Sequence, residues 1–234
     1  VYFYQIAREI GINKIAEVCK RFGLGKQVFR EFFEESNGLV PNKSWKKETL
    51  GTSWMVGETL SAGIGQGYFL ATAAQLSLAL AQLVNGGKKI NPHIVYGNHT
   101  SSENDEINLA SKRHIKIVQK ALDDATNTTN GTSYSSRITG KYKMGGKTGT
   151  SQVRVISSKE REDGIIKNKD LPWEMRDHGL FIGYGPVENP TYSISVIVEH
   201  GGSGSGSAAP IASKIMKYIF KDKINLKRKN LSNV

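Results

Sequence analysis

The 234-residue sequence predicts an α+β layered domain built around an antiparallel sheet. Three observations predict this fold class. Apolar residues recur at helical spacing in several segments before residue 127. Three segments between Gly145 and His200 then alternate or run apolar, as strands do. A helical pattern returns from Ala208 to Phe220, so helices precede and follow the strands.

Two short helices open the predicted fold. Val1 to Ile10 is typical of a helix that ends at Gly11, and its apolar stripe consists of Tyr2, Ile6 and Ile10. The next helix begins after Asn13 as its N-cap and ends at Gly23. Its apolar face is expected to consist of Ile15, Val18, Cys19 and Phe22. Residues 24 to 58 are rich in aromatic, basic and turn residues, which predicts an irregular connection with a short helix at 26 to 33.

A stronger helical pattern begins after Thr72 as the cap and runs through Val84. The glycines from Gly63 to Gly67 favour tight packing under this helix over a ligand cradle. Residues 90 to 95 predict a short strand, and residues 100 to 106 predict a polar loop. Residues 111 to 126 predict an amphipathic helix whose inward side chains are Ile115, Val118, Leu122 and Ala125.

The second half of the chain predicts the sheet and its closing helix. Residues 155 to 172 form a charged insertion that we expect to be mobile. Gly179 to Gly185 and Tyr192 to His200 predict two strands, joined by a turn from Pro186 to Pro190. Gly201 to Ser207 has the composition of a flexible loop. The helix from Ala208 to Phe220 ends a domain of residues 1 to 220, and residues 221 to 234 form a basic tail.

Composition narrows the classes of function. A net charge of +11 and an isoelectric point near 9.6 suit an anionic partner. The basic residues are spread along the chain, however, and no nucleic-acid motif accompanies them. We therefore expect no nucleic-acid partner; a nucleic-acid-binding protein would show salt-sensitive retention on DNA. The single cysteine, Cys19, excludes an internal disulfide framework.

The ends of the sequence predict a part of a longer protein. No apolar run approaches the ~18 residues of a membrane span, and the chain begins at Val1, without methionine, inside an apolar periodic run. A preceding region is therefore expected.

One segment combines a lysine, three hydroxyl side chains and three glycines within nine residues. It is Gly145-Gly-Lys-Thr-Gly-Thr-Ser-Gln-Val153. Its three glycines leave room for a group to lie against the backbone. Thr148, Thr150 and Gln152 alternate, as one face of an exposed edge strand would. Such an edge offers backbone N–H and C=O groups to a peptide, and Lys147 adds positive charge for a carboxylate or a developing oxyanion.

This lysine allows two other interpretations. A phosphate-binding loop has the pattern G-x-x-x-x-G-K-[ST], and Lys141 stands where that pattern requires its first glycine. No helix follows Lys147 to point its N-terminus at a phosphate, so a nucleotide site is disfavoured. A glycine-rich hairpin with a solvated lysine stays open on these residues alone.

Five segments of the sequence occur in an order that resembles a known family. They are Val1-Tyr-Phe-Tyr-Gln-Ile-Ala, Gly63-Ile-Gly-Gln-Gly-Tyr-Phe-Leu-Ala-Thr, Gly146-Lys-Thr-Gly-Thr-Ser-Gln-Val, His178-Gly-Leu-Phe-Ile-Gly-Tyr-Gly-Pro-Val and Val198-Glu-His-Gly-Gly-Ser-Gly-Ser. Together they closely resemble the transpeptidase domain of class B penicillin-binding proteins of the cell-elongation type. The resemblance implies the penicillin-binding and β-lactamase-like fold, an antiparallel sheet sandwiched by helices, of which this chain is the C-terminal part.

The resemblance also implies an activity and its residues. The activity is that of a serine D,D-transpeptidase, which cross-links peptidoglycan stem peptides ending in D-Ala-D-Ala and is acylated by β-lactams. Lys147 and Thr150 are assigned catalytic roles, and the backbone N–H of Thr150 is half of the oxyanion hole. The residues assigned to substrate binding are Thr148, Gly149, Thr150 and Gln152.

No metal or cofactor is implied by the resemblance. It does imply a glycosyltransferase partner and an N-terminal membrane anchor outside this chain. It also implies a location on the periplasmic face of the bacterial inner membrane.

The family's other two motifs, S-x-x-K and S-x-N, are imitated by Ser44-Trp-Lys-Lys47 and Ser102-Glu-Asn104. We reject the first because Ser44 is predicted to lie in a loop, whereas the nucleophile should open a buried apolar helix. We reject the second because it lies in the most solvated run of the sequence. Val1-Tyr-Phe-Tyr-Gln resembles the segment that directly follows the family's second motif. We therefore expect the nucleophile to lie before Val1 and this chain to form one wall of the active site.

His178 and His200 flank two strands, are not expected to cluster, and are expected to be structural, since no metal-ligand spacing links them. Asp177, His178 and the pair Gly201-Gly202 match the family, and the loop with this glycine pair is expected to face the substrate groove. Two other functions stay open: a D,D-carboxypeptidase or β-lactamase relative, whose acyl-enzyme water hydrolyses quickly, and a non-catalytic β-lactam sensor or peptidoglycan-binding domain.

Overall fold

The computed structural model describes residues 1–29, 34–95, 106–107, 111–154 and 156–231, without the side chains of 158, 159, 161 and 222–231. The chain divides into two compact units, Val1–Lys112 and Arg113–Val234. The predicted α+β class is confirmed, since helices accompany an antiparallel three-stranded sheet. No helix in the described ranges has the length and apolar character needed to cross a membrane.

The first unit is helical. Its helices are α1 (Tyr2–Ile10), α2 (Ile12–Arg21), α3 (Lys43–Leu50), α4 (Val56–Ala62) and α5 (Ala73–Val84). The predicted stripe of α1 is wrong as a buried face, because Tyr2 is 67% exposed and Ile10 is 44% exposed. Ala7 is buried instead, and a Cβ on Gly63 would lie 2.3 Å from the Ala7 Cβ. Gly63 therefore permits close packing, as expected for this loop, but against α1 rather than under α5.

Helix α2 begins two residues earlier than predicted and buries a different face. Gly11, with φ of 77°, precedes its first residue. Asn13 is not the N-cap, since it lies within the helix and its side chain accepts a hydrogen bond from the Lys43 N–H at 3.3 Å. Ile12 and Ala16 are the buried residues, while Val18 is 48% exposed. A small residue one turn after Ile12 allows closer packing than the larger side chains of the predicted face.

The irregular connection predicted for residues 24 to 58 is wrong at α3 and α4. The Asn42 side chain caps α3 by accepting the Trp45 N–H at 2.8 Å, and Gly51 ends it in the left-handed conformation. Lys46 is buried, donating to the Ser53 carbonyl at 3.0 Å and pairing with Glu58. Because a lysine occupies the buried position, hydrophobic periodicity does not reveal α3. Residues 26 to 29 are not helical, and 30 to 33 lie outside the described residues.

Helix α5 is confirmed with its cap. Thr72 and Gln75 form a capping box, and the buried Gln75 amide also donates to the carbonyls of Lys26 and Asn37. The strand predicted at residues 90 to 95 is wrong. The Ile90 N–H donates to the Gln82 side chain at 3.1 Å, and the extended pairing nearby is one bridge between Lys88 and Glu106. Residues 100 to 105 of the predicted polar loop lie outside the described residues.

The second unit contains the sheet. Its elements are α6 (Lys112–Asn127), β1 (Gly145–Ser151), α7 (Ser158–Asp163), β2 (His178–Gly185), β3 (Tyr192–Val198) and α8 (Ala209–Leu231). The strand order is β1-β2-β3, with both pairs antiparallel. Helix α8 packs on the sheet over a core that includes Met144, Phe181, Ala212, Met216 and Phe220.

Helix α6 buries Ile115 and Leu122 as predicted, but Val118 is 42% exposed and Thr126 is buried. Thr126 is inward because its hydroxyl donates to the Gly146 carbonyl at 3.3 Å. Because Thr126 is polar, a pattern of apolar residues does not predict that it is buried. Strand β3 ends at Val198 rather than His200, because His200 has φ of 53°, which cannot continue a strand.

Two segments that we expected to be loops have regular structure. The charged insertion contains α7 and a 3-10 turn, Asn168–Asp170, although its mobility stays a prediction. Gly204–Ala208 forms a π-helical turn that leads into α8, so the expectation of a flexible loop there is wrong. Helix α8 continues to Leu231, beyond the predicted end at Phe220. The separation of a domain, 1 to 220, from a basic tail stays a prediction.

Candidate active site

Strand β1 is the edge strand that the sequence predicts. It pairs with β2 on one side, and the register places Lys147 opposite Ile182 and Thr150 opposite Gly179. Gln152 lies one residue beyond the strand and is exposed, so the predicted alternating face stops at Thr150.

The backbone groups of β1 alternate between β2 and the open edge. The Met144 carbonyl accepts from the Asn127 side chain at 2.9 Å, and the Gly146 carbonyl accepts from Thr126. The Thr148 carbonyl accepts from the Lys147 ammonium at 2.8 Å. These carbonyls therefore point away from β2. Continuing the alternation places the N–H of Thr150 on the open edge.

Lys147 and two threonine hydroxyls lie together at this edge. The Lys147 Nζ also donates to the Thr148 Oγ1 at 3.2 Å, and that hydroxyl donates to the Thr132 Oγ1 at 3.2 Å. The Lys147 side chain is exposed as a whole, but partial desolvation of its ammonium lowers the pKa of Lys147. The edge therefore presents a cation, two hydroxyls and a backbone N–H, which together suit a carboxylate and an oxyanion.

The glycines of β1 make room for the protein itself. A Cβ on Gly145 would lie 2.9 Å from the Tyr184 ring, and one on Gly146 would lie 2.5 Å from the Phe181 ring. At Gly149 the nearest atom is the Leu180 Cβ, at 3.3 Å. The expectation that a group lies against the backbone at these glycines is confirmed for the first two, and that group is an aromatic ring of the protein itself. Thr126 and Asn127 of α6 cover the edge at Gly146 and Met144, so the exposed part of the edge is at Lys147 and Thr150.

Asp177 joins three segments just before β2. Its carboxylate accepts the Val153 N–H at 3.3 Å and the Asn168 side-chain amide at 2.9 Å. Its own N–H donates to the Asn168 Oδ1 at 2.8 Å, and its carbonyl accepts the Gly202 N–H at 2.8 Å. Every polar group of Asp177 is used, and the residue ties the chain after β1 to the insertion and to the loop after β3.

His178 and His200 do cluster, contrary to the prediction. Their ring centroids are 4.8 Å apart, and the His200 N–H donates to the His178 Nδ1 at 2.9 Å. The His200 Nδ1 lies 3.1 Å from the Arg176 carbonyl, and the Trp173 ring packs on His200 at 4.5 Å. These contacts suit structural histidines. Within the described ranges, no three His, Cys, Asp or Glu residues form a group that could hold a metal ion.

The family model for the penicillin-binding protein transpeptidase domain matches residues 1–217. The chain belongs to this transpeptidase family. The resemblance drawn from the five sequence segments is thereby confirmed.

Two curated relatives of this transpeptidase chain are the peptidoglycan D,D-transpeptidases MrdA of Salmonella typhimurium and Haemophilus influenzae. The first is 35% identical over 228 residues, which are 94% of this chain and 36% of the relative. The second is 34% identical over 231 residues, which are 95% of this chain and 35% of the relative. The chain thus spans about a third of the length of these relatives.

Two solved structures share the fold. Penicillin-binding protein 2 (PBP2) of Pseudomonas aeruginosa, in complex with WCK 5153, gives a TM-score of 0.78 at 34% identity and covers 93% of this chain and 46% of that chain. PBP2 of Helicobacter pylori, in complex with MreC, gives 0.80 at 31% identity and covers 94% of this chain and 38% of that chain. The predicted transpeptidase fold is confirmed.

Two segments match the family's other motifs by sequence alone, and both lie far from the K-T-G strand in the sequence. The first, Ser44 to Lys47, lies within the described residues. Ser44 lies in the first turn of α3, so the argument that it sits in a loop is wrong. Its side chain and that of Lys47 are nonetheless exposed, and α3 has no buried apolar residue. The buried apolar helix that the motif requires is therefore missing there. Ser102 lies outside the described residues.

Sequence reasoning missed two contributors to the region of β1. Thr132 contacts Thr148 from the loop after α6, and Asn168 contacts Asp177 from the insertion. Neither belongs to a motif, and no spacing in the sequence links either one to its partner. The assignments of Lys147, Thr148, Gly149, Thr150 and Gln152 to catalysis and substrate binding stay predictions.

Proposed function

We propose that the protein to which this chain belongs is a peptidoglycan D,D-transpeptidase that β-lactams acylate. The observation that carries the proposal is the open edge of β1, where the Thr150 N–H lies on the same edge as the Lys147 ammonium and the Thr148 hydroxyl. Membership of the transpeptidase family and relatives named peptidoglycan D,D-transpeptidase support it.

The chemistry assigned to this edge is acyl transfer. A serine Oγ attacks the carbonyl carbon between the last two D-alanines, and the Thr150 N–H donates to the oxygen that becomes negative. The C–N bond then breaks, the terminal D-alanine leaves as a protonated amine, and an ester remains on the serine. The amine of a second stem peptide attacks that ester, which forms the cross-link and returns the serine hydroxyl.

Substrate positioning follows from the edge strand. A peptide laid along β1 as an added strand exchanges backbone hydrogen bonds with the outward groups of Thr148 and Thr150. Its terminal carboxylate meets the Lys147 ammonium beside Thr148, where the partly desolvated ammonium gives the stronger attraction. Gly149 and Gln152 flank this path.

We propose that the serine nucleophile belongs to a part of the protein outside these 234 residues. The exposed positions of Ser44 and Lys47 support this, as does the greater length of the relatives. Acylation assays therefore use the full-length protein.

The decisive experiment removes the Thr150 N–H alone. Proline lacks the N–H and is tolerated on an edge strand where that group points outward, so Thr150→Pro deletes the oxyanion donor. We expect the rate of labelling by a fluorescent penicillin to fall by roughly 10²–10³-fold. Thr150→Ala keeps the N–H and serves as the matched control, with a much smaller loss.

Three outcomes would contradict the proposal. They are no uptake of penicillin by the full-length protein, labelling of Thr150→Pro as fast as that of Thr150→Ala, and a covalent adduct at Ser44 of the 234-residue chain alone. The fate of the adduct separates the related functions. Fast hydrolysis indicates a carboxypeptidase or β-lactamase, and a stable adduct without peptide exchange indicates a sensor.

The location and partners extend this proposal. A site at the periplasmic face of the bacterial inner membrane, with a glycosyltransferase partner, would place cross-linking beside glycan synthesis. The complex of Helicobacter pylori PBP2 with MreC shows that one relative binds another protein. Affinity purification of the full-length protein from cross-linked cells tests the partner, and recovery of no glycosyltransferase would contradict this extension.

A further inference from the structure

We propose that Thr132 is a further substrate-binding residue, whose hydroxyl donates a hydrogen bond to the terminal carboxylate of the stem peptide or β-lactam. The inference rests on the proposed function and adds a group from outside the K-T-G strand to its carboxylate site.

The direction of the hydrogen bonds carries the inference. An ammonium group only donates, so the Thr148 oxygen accepts from the Lys147 Nζ, and the Thr148 proton is directed to the Thr132 oxygen. Thr132 accepts that bond and keeps its own proton. Among the described residues, the chain of donors from Lys147 through Thr148 therefore ends on the O–H of Thr132.

The remaining donors suit an anion. Of the three N–H groups of Lys147, two are directed to Thr148, at its carbonyl and its hydroxyl, and the third has no recorded acceptor in the described part of the chain. An ammonium N–H and the hydroxyl of Thr132 thus flank the Thr148 hydroxyl. Two donors at one edge match the two oxygens of a carboxylate better than a single neutral ligand atom.

The segment around Thr132 is fixed while its side chain is exposed. A Cβ on Gly131 would lie 2.4 Å from the Ala125 carbonyl oxygen, so the backbone there lies against the end of α6. Ser133 is fully buried, with its N–H and Oγ both donating to Ala125 at 3.1 and 3.0 Å. An exposed hydroxyl held between two anchored residues is preorganised for a ligand.

The test separates carboxylate recognition from a structural effect. Thr132→Val removes the hydroxyl at nearly constant shape, Thr132→Ser retains it, and Thr139→Val changes another exposed threonine of the same segment. The second-order acylation rate of each full-length variant is measured with benzylpenicillin and with its methyl ester, in which the carboxylate is blocked.

We expect Thr132→Val to acylate about ten-fold more slowly with benzylpenicillin, since hydrogen bonds to charged groups are of the stronger kind. Its rate with the methyl ester should match that of the wild type, and Thr132→Ser and Thr139→Val should be unaffected with both compounds. Equal losses with both compounds, or no loss with either, would overturn the inference. A wild-type protein that takes up no penicillin would instead refute the proposed function.

Discussion

The substitution Gly204→Ala tests whether the π-helical turn before α8 fixes the position of β1. A Cβ at Gly204 would lie 2.1 Å from the Leu180 carbonyl oxygen, and 2.5 and 3.0 Å from the carbonyl oxygen and nitrogen of Gly149. All three contacts are backbone atoms of the β1–β2 ladder, which cannot rotate away as a side chain can. Either the turn or the ladder must therefore move by at least about 0.9 Å to clear the shortest real contacts.

The expected cost follows from that displacement. Overpacking a well-packed site costs typically about 1–3 kcal/mol, and contact with rigid backbone favours the upper half of this range. We therefore expect the free energy of unfolding to fall by about 2–3 kcal/mol. Gly149 directly precedes Thr150, and a misplacement of about 1 Å costs on the order of 10²-fold in rate, so penicillin acylation should fall as well.

A control lies in the same turn. A Cβ at Gly206 would meet only the Ser203 hydroxyl, at 3.0 Å, and a shift of that side chain by a few tenths of an ångström relieves the contact while its hydrogen bond from the Gly206 N–H is kept. Gly206→Ala should therefore stay close to the wild type when both variants are compared by denaturant unfolding and by acylation rate. If Gly204→Ala behaves like Gly206→Ala in both measurements, the packing of this turn does not position β1, and the reasoning is wrong.

Three further predictions concern buried or half-buried polar groups. Burial, with the nearby negative charges of Asp123 and Glu188, raises the pKa of Tyr184 to about 12. Between pH 10 and 12 the Tyr184 hydroxyl ionises in the unfolded chain but stays protonated in the folded protein, so the free energy of unfolding should fall by on the order of 2 kcal/mol. Tyr184→Phe should lack this loss in alkaline unfolding curves. Glu58→Ala leaves the buried Lys46 ammonium without its carboxylate and should cost about 3 kcal/mol, whereas combining it with Lys46→Met should recover most of the loss in chemical unfolding. Asp177→Ala removes two charge-assisted hydrogen bonds and should lower the free energy of unfolding by about 2 kcal/mol; an unchanged unfolding midpoint would show that Asp177 does not tie these segments together.

The sheet could be predicted from the sequence because its signals are local. Alternating or continuous apolar residues marked β2 and β3, and proline and glycine marked their ends. The edge position of β1 followed from a polar, glycine-rich composition that a central strand would not carry. The exact end of β3 could not be predicted, since it depends on the left-handed His200 and on the bond from its N–H to His178.

The helices were harder to predict where the buried residue is polar. In α3 the buried residue is Lys46, which pairs with Glu58 twelve positions later, and in α6 it is Thr126, which bonds to β1. A hydrophobic pattern counts such residues as exposed. Helix α5 was predicted together with its cap because the capping box lies within four consecutive residues, Thr72 to Gln75.

The candidate site divides in the same way. Lys147, Thr148 and Thr150 are adjacent in a motif, so the sequence alone identifies them. Thr132 and Asn168 come from segments that bear no motif, and only the fold brings them to Thr148 and Asp177.

The glycines of β1 decide how a substrate approaches. In the sequence they suggest an open face, but Tyr184 and Phe181 fill the space before Gly145 and Gly146, and Gly204 packs on Gly149. A ligand laid on either face of the strand would displace these groups, whereas one laid along the edge at the exposed Thr150 would not. The packing that covers the two faces of β1 also holds the strand in place, because the aromatic rings and the π-helical turn contact it where a side chain would otherwise be. The packing therefore favours an edge-on approach of the proposed substrate, on the side of the strand where Lys147 and Thr132 lie.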